Sequence, residues 1–450
     1  MVRVTDMTHG RPIRLILLFS LPLMLGSVFQ QLYTIVDTII IGRGVGMQAL
    51  ASIGAADWIN WLVLWGLQGF TQGFAILAAQ EFGAGAYDRL RRVLAMIVKL
   101  SCWFGIAVTI ISLLLVRPLL TLLHTDPAVF GGAQTYLYVQ FGGSLIIIAY
   151  NMAAAVLRCL GDSRTPLFAI IAASFANIAL DLLFVMGFGW GIFGASFATV
   201  LAQLIAFLLC LRSLRRLPFV QLTKADWKTN PAILLHLCRL GIPTGLQMSM
   251  ITLGGMVLQS VLNGFGVVFV AGYTAANKLY GILESASVAF GYAMTAYMGQ
   301  NRGARNAARI DAGIRAVLVL SAEFTAAIVT AMLLAGKPLL GLFLSTEEAG
   351  AADALAVAYQ YLMVLMAFLF ALFMLQAYRS SLQGLGEMTV PTLSGFAEML
   401  MRMGAALVLP AFIGQSGVFF AEGAAWVCAA ALNLVWYYMR IGKIKQDMLQ

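Results

Sequence analysis

The sequence predicts an all-α polytopic membrane protein: twelve transmembrane helices arranged as two pseudo-symmetric six-helix bundles. Three observations predict it. Of the 450 residues, 61% are hydrophobic and only 10% are charged, where soluble domains carry about 25% charge. The apolar residues fall in long continuous runs that do not alternate with period two, which excludes a β-barrel. Finally, the second half of the chain repeats the punctuation of the first.

A bilayer core about 30 Å thick needs about 20 apolar residues per helix. Runs of this kind lie near 13–41, 50–80, 93–116, 131–157, 166–188, 191–214, 231–264, 270–300, 312–336, 354–381, 390–412 and 416–440. The first continues past 25 residues without a small-residue cleavage site, so it reads as a span and not as a removable signal. The cysteines (Cys102, Cys159, Cys210, Cys238, Cys428) form no CxxC pair and read as packed small hydrophobes. His9, His124 and His236 have no metal-ligand spacing. Neither metal nor cofactor is expected from these residues.

Positive charge sets the expected orientation. With the N-terminus in the cytoplasm, the inside segments collect 22 of the 28 Lys and Arg residues, from Arg3, Arg11 and Arg14 to Arg440, Lys443 and Lys445. The outside segments hold Arg43, Arg117 and Lys337, and an acidic loop with Glu347, Glu348 and Asp353. Both termini are therefore expected inside. The net charge of +9 reflects this distribution and not a nucleic-acid surface.

Three motifs recur in order. Gln80-Glu81-Phe82-Gly83-Ala84-Gly85 answers Gln300-Asn301-Arg302-Gly303-Ala304-Arg305, Pro22 answers Pro243, and Leu160-Gly161-Asp162 with Pro166 answers Leu385-Gly386-Glu387 with Pro391. Six spans per half make the repeats parallel, related by an axis along the membrane normal. The expected division is 1–216 for the N-terminal lobe, 217–230 for a basic linker and 231–450 for the C-terminal lobe. Two equivalent lobes of this kind can open a cleft alternately to each side, which is the logic of a transporter.

Ionisable residues inside spans are costly and mark function or a polar partner. Asp37 lies toward the outer half of the first span. An aspartate buried there without a fixed cation would load and release a proton near neutral pH; hydration or pairing with Arg43 is the alternative. Asn177 and Asp181, at i and i+4, share one face of the fifth span. Thr199 on the sixth can add a hydroxyl. Such a set can coordinate a hydrogen-bond network or a small cation, or serve as interhelical glue. In the second half, Arg402 stands where Asn177 stands in the first, and Glu398 with Arg402 reads as a structural salt bridge. Glu284, Lys278, Glu323, Arg379 and Glu422 receive no role, so the carboxylates of the cation site are expected in the N-terminal lobe alone. A proline within a span frees a carbonyl, so Pro22 is a candidate hinge.

The twelve spans in two sixes, the Leu32-Tyr33-Thr34-Ile35-Val36-Asp37-Thr38 stretch and the duplicated motifs together resemble the multidrug and toxic compound extrusion family over essentially all 450 residues. Within it, the chain is most similar to the branch named after the DNA-damage-inducible protein F. The resemblance implies a V-shaped pair of bundles in the inner membrane, not an enzyme, exporting organic, often cationic, drug-like compounds in exchange for H+ or Na+. It implies Asp37, Asn177, Asp181 and Thr199 as the cation-coupling set, with Asp37 also near substrate. The NorM-type branch has key carboxylates in spans seven and ten, where this chain has none. Partners would be small organic substrates, the coupling ion and lipid, with the protein a monomer. A lipid-linked precursor flippase of the same superfamily is the rival; only Lys278, Arg379 and Arg402 could line an anionic headgroup cavity.

Overall fold

The computed structural model describes residues 4–343 and 350–449. Arg3 and the acidic pair Glu347 and Glu348 lie outside the described residues. Among the described residues the chain is almost entirely helical, with no strand. In the first half, α1 (Pro12–Gly44), α2 (Met47–Gly83), α3 (Tyr87–Leu122), α4 (Pro127–Gly142), α5 (Ser144–Cys159), α6 (Arg164–Asp181) and α7 (Gly191–Arg215) follow one another. In the second come α8 (Pro231–Asn263), α9 (Val267–Gly303), α10 (Ala307–Gly341), α11 (Ala351–Gly384), α12 (Thr389–Ile413) and α13 (Phe420–Leu449).

Ten helices among the described residues are long and apolar enough to cross a membrane, and an eleventh if the bent pair α4 and α5 counts as one span. The pair bends by 50°. The remaining long helix, α9, has 37 residues and carries Lys278 and Glu284 in its middle. The backbone forms two compact units. The first comprises Met1–Asp6 and Leu21–Gly245, the second Met7–Ser20 and Leu246–Gln450.

The repeated motifs are helix terminators. After α5, Gly161 (φ 91°) takes the left-handed conformation while its N–H donates to Arg158 O and that of Asp162 donates to Leu157 O at 2.8 Å. After α11, Gly386 (φ 73°) does the same, and Glu387 N–H donates to Leu382 O at 2.9 Å. Both closures satisfy the last carbonyls of their helices. Asp162 then starts α6: its Oδ1 accepts from the N–H groups of Arg164 and Thr165, each at 3.0 Å. At the other repeat, Asn306 N–H donates to Asn301 O and Ala86 N–H to Glu81 O. There the left-handed position is Gly85 (φ 67°) in one copy and Arg305 (φ 55°) in the other. Gln300 and Asn301 are fully buried. Their side chains hold the N-terminal segment through Met7 N–H (2.8 Å) and Met7 O (3.1 Å).

In the first unit, α2 and α8 meet at bare backbone: a Cβ on Gly73 would lie 2.5 Å from Gly241 Cα and 2.6 Å from Leu240 O. The segment after α7 is anchored by Lys99, whose Nζ donates to Trp227 O (2.6 Å) and Thr229 Oγ1 (2.9 Å). Asp226 in that segment accepts from the Thr223 N–H (2.8 Å) and hydroxyl (2.7 Å). Burial acts to raise its carboxyl. The two Thr223 hydrogen bonds and the guanidinium groups of Arg91 and Arg92 outweigh that and hold it below the usual carboxylate range.

Candidate functional site in the first unit

The first unit buries an unusual set of polar atoms. Asp181, the last residue of α6, is fully buried, and Asn177 one turn earlier is 1% exposed. Both Asp181 oxygens, both Asn177 amide atoms and Asp37 Oδ1 are buried with no hydrogen-bond partner. Buried polar groups are almost always partnered, so five orphaned atoms in one place point to a ligand, ion or water. The Asp37 and Asp181 carboxyl groups lie within hydrogen-bonding range of each other. Neither carboxylate can donate unless it carries a proton, so the contact is attractive only when a proton or cation is shared. No ion pair to either acid occurs among the described residues, Arg43 included.

Local backbone geometry sets up this arrangement. The α-helix ends at Asp181 and continues as a π-helical turn, Leu182–Gly187. Such turns are rare and frequently mark functional positions. Around them Ile40, Ile41, Ala49, Val185 and Ala195 form an apolar cluster, with Val36 and Ile178 packed against it. Those two neighbours belong to the same helices as the two acids, so apolar packing helps fix the helices that carry the carboxyl pair.

Beside the pair lies a cavity of about 50 Å³, lined among others by Tyr33, Ser174, Asn177, Thr199 and Gln203. It has room for one or a few waters or a small ion. Organic ligands need pockets of roughly 300 Å³ or more. Thr199 is half-buried and donates to Ala195 O at 3.1 Å, leaving its oxygen lone pairs available. Tyr33 lines the cavity and is within electrostatic reach of both acids. The structure thus brings Asp37 to Asp181, and Asn177 to Thr199, with Tyr33 common to both groups. Pro22 lies inside the continuous helix α1, adjoining the boundary between Ser20 and Leu21 at which the two units divide.

Sequence reasoning passed over Asp57. This acid on α2 lies within electrostatic reach of Tyr136, which Asp37 and Tyr33 also reach. Asn60 Nδ2 donates to the Tyr136 hydroxyl at 3.3 Å. The signal was present, since any acid inside a span qualifies. Tyr33, Ser174 and Gln203 carried no such signal, because hydroxyls and amides are cheap to bury in a membrane helix.

In the second unit, the Glu398–Arg402 pair forms at 3.1 Å. It is part of a larger chain: Arg379 meets Glu398 at 2.6 Å and Arg402 meets Glu422 at 2.8 Å.

Comparison with known proteins agrees with this architecture. The MatE family model matches residues 22–183 and 243–408. The chain is 32% identical over 458 aligned positions to the "Probable multidrug resistance protein YpnP" of Bacillus subtilis, covering 99% of this chain and 98% of that one. A MATE protein crystallised in complex with MaL6 superimposes with a TM-score of 0.90 at 24% identity, over 99% of this chain and 100% of that chain. A transporter of the MOP superfamily from Pyrococcus furiosus, described as having a binding pocket of reverse polarity, gives 0.91 at 24% identity, over 98% and 99%. The two blocks of the family match cover both halves, and the relative spans the whole chain: this protein belongs to the MATE family, whose members are integral membrane transporters and not enzymes.

Proposed function

We propose that the protein is a secondary antiporter that exports organic, mainly cationic compounds in exchange for a cation loaded at Asp37 and Asp181. The observation that carries the reading is the contact between the fully buried Asp181 carboxyl group and that of the half-buried Asp37, neither of which has an ion-pair partner among the described residues. A single proton shared by the pair removes their repulsion, so H+ is the first choice of coupling ion. Sodium is the second. Asn177 and Thr199 supply two more oxygens through the adjoining cavity, where Na+ would need about five or six in all, as hard cations do.

Loading and unloading change the attraction between α1 and α6. Pro22 gives α1 a place to bend in response. A cavity of about 50 Å³ excludes an organic substrate, so substrate enters only when the loaded pair has let go. Asp37, half-buried, is then the acid able to face a cationic substrate. Competition between substrate and coupling ion for one carboxylate is sufficient for exchange. The lobes 1–216 and 231–450, joined by 217–230, act as the moving bodies of a monomer in the inner membrane with both termini in the cytoplasm. The name of YpnP, a probable multidrug resistance protein, supports drug efflux as the direction of this reading.

The flippase reading is weaker, because Arg379 and Arg402 are both engaged by glutamates and not free for an anionic headgroup. Transport of a cationic dye into proteoliposomes under separate proton and sodium gradients tests the proposal. Dye movement driven by the proton gradient alone is expected. Movement driven only by sodium reassigns the ion, and movement with neither gradient refutes antiport.

A further inference from the structure

The second unit holds three carboxylates and two guanidinium groups in one buried cluster, and every positive charge in it is already engaged. Glu398 (3% exposed) is held by Arg379 at 2.6 Å and Arg402 at 3.1 Å. Glu422 takes Arg402 at 2.8 Å. Arg379 also donates to Ser394 Oγ at 3.2 Å, and Arg402 to Ile251 O at 3.0 Å. The third acid, Glu284 on α9, makes no ion pair among the described residues. It faces Glu422 from α13, Arg402 and Glu398 from α12, and the hydroxyl of Tyr280 on its own helix. Around the cluster stand Tyr273 and Tyr361, whose hydroxyls are 3.2 Å apart, and Arg379 from α11. Lys278 on α9 is exposed and takes no part.

Charge counting then decides the cluster's state. With all groups ionised it carries one uncompensated negative charge, which is costly away from water. One bound proton makes it neutral. Placing that proton on Glu398 would sacrifice two ion pairs, and placing it on Glu422 would sacrifice one. Placing it on Glu284 sacrifices none and leaves the Tyr280 hydroxyl as its hydrogen-bond partner.

We propose that Glu284 is a second proton-binding site of this transporter, in the unit opposite the Asp37–Asp181 pair in sequence. The proton is held there because Arg402 is committed to Glu398 and Glu422. Glu284 and Glu422 are half-buried while Glu398, Arg379 and Arg402 are buried, so the odd acid is one that a proton can reach.

Infrared difference spectroscopy on the purified protein in lipid nanodiscs tests this. A D37N/D181N background removes the first-unit pair, so failure of that site does not touch the result. In this background a carbonyl stretch of a protonated carboxylic acid, shifting in D2O, is expected and should vanish when Glu284→Gln is added. Glu422→Gln provides the second arm. It leaves two acids for two arginines and frees Arg402 for Glu284, so the band should vanish there too although Glu284 is intact. Glu284→Gln should keep a thermal midpoint close to that of its parent, because a neutral amide replaces a neutral acid and the ion pairs of Glu398 and Glu422 are untouched. An unchanged band in Glu284→Gln overturns the proposal. So does a band that survives Glu422→Gln, because the charge count would then not govern where the proton sits.

Discussion

Asp181→Asn keeps the shape and removes the charge, so membrane insertion should be normal. Gradient-driven efflux should fall on the order of tenfold or more, the change expected from about 1.4 kcal/mol of lost coupling. Dye accumulation in cells, set against expression level, reads this. Thr199→Val should cost about 1 kcal/mol or less of stability, because only the hydrogen bond to Ala195 O is lost. Glu398 predicts the opposite kind of effect. Glu398→Ala strands Arg379, while Arg402 keeps Glu422, and should destabilise by about 3–5 kcal/mol in thermal unfolding. Asp37 and Asp181 were conspicuous in the sequence because burying charge is costly, and helical spacing put Asn177 on the face of Asp181, whereas Thr199 is a hydroxyl with no comparable signal of its own. Asp57 was equally legible and was passed over. The charge surplus around Glu284 was not legible. It depends on α9, α11, α12 and α13 meeting, and sequence spacing joins only Glu398 to Arg402.

Among the elements, the duplicated helix ends carry the clearest consequences. Arg305 occupies the left-handed conformation that Gly85 occupies in the other copy. That conformation costs a non-glycine residue about 1–2 kcal/mol, against about 0.5–1 kcal/mol of extra unfolded-state entropy for glycine. Arg305→Gly should therefore stabilise by about 0.5–1 kcal/mol, read as a raised unfolding midpoint. Gly73→Val should prevent α2 and α8 from closing and abolish folding in detergent, because the added carbons meet backbone at 2.5–2.6 Å. In the segment after α7, Asp226 has a folded value below its unfolded one. Its contribution is then fully present above the unfolded value near 4 and is lost as pH falls through the lower folded value. Proteolysis of this segment should stay constant from neutral pH down to about 4 in the wild type, and rise at neutral pH in Asp226→Asn. The repeat itself was readable from punctuation alone, since Gly161 and Gly386 perform the same closure. The π-helical turn after Asp181 was not readable, because Leu182–Gly187 has the composition of an ordinary apolar run.

For the whole molecule, the all-helical membrane class followed from composition, and the family from the repeated motifs. The central claim is that the Asp37–Asp181 pair is where the coupling ion is loaded. Its most direct test is proton release on adding a cationic drug to the purified protein in weakly buffered solution. Release near one proton per drug bound is expected from the wild type, and none from the D37N/D181N variant, with Glu284→Gln as the independent control for the second unit. Undiminished release from D37N/D181N, with drug still bound, would contradict the account.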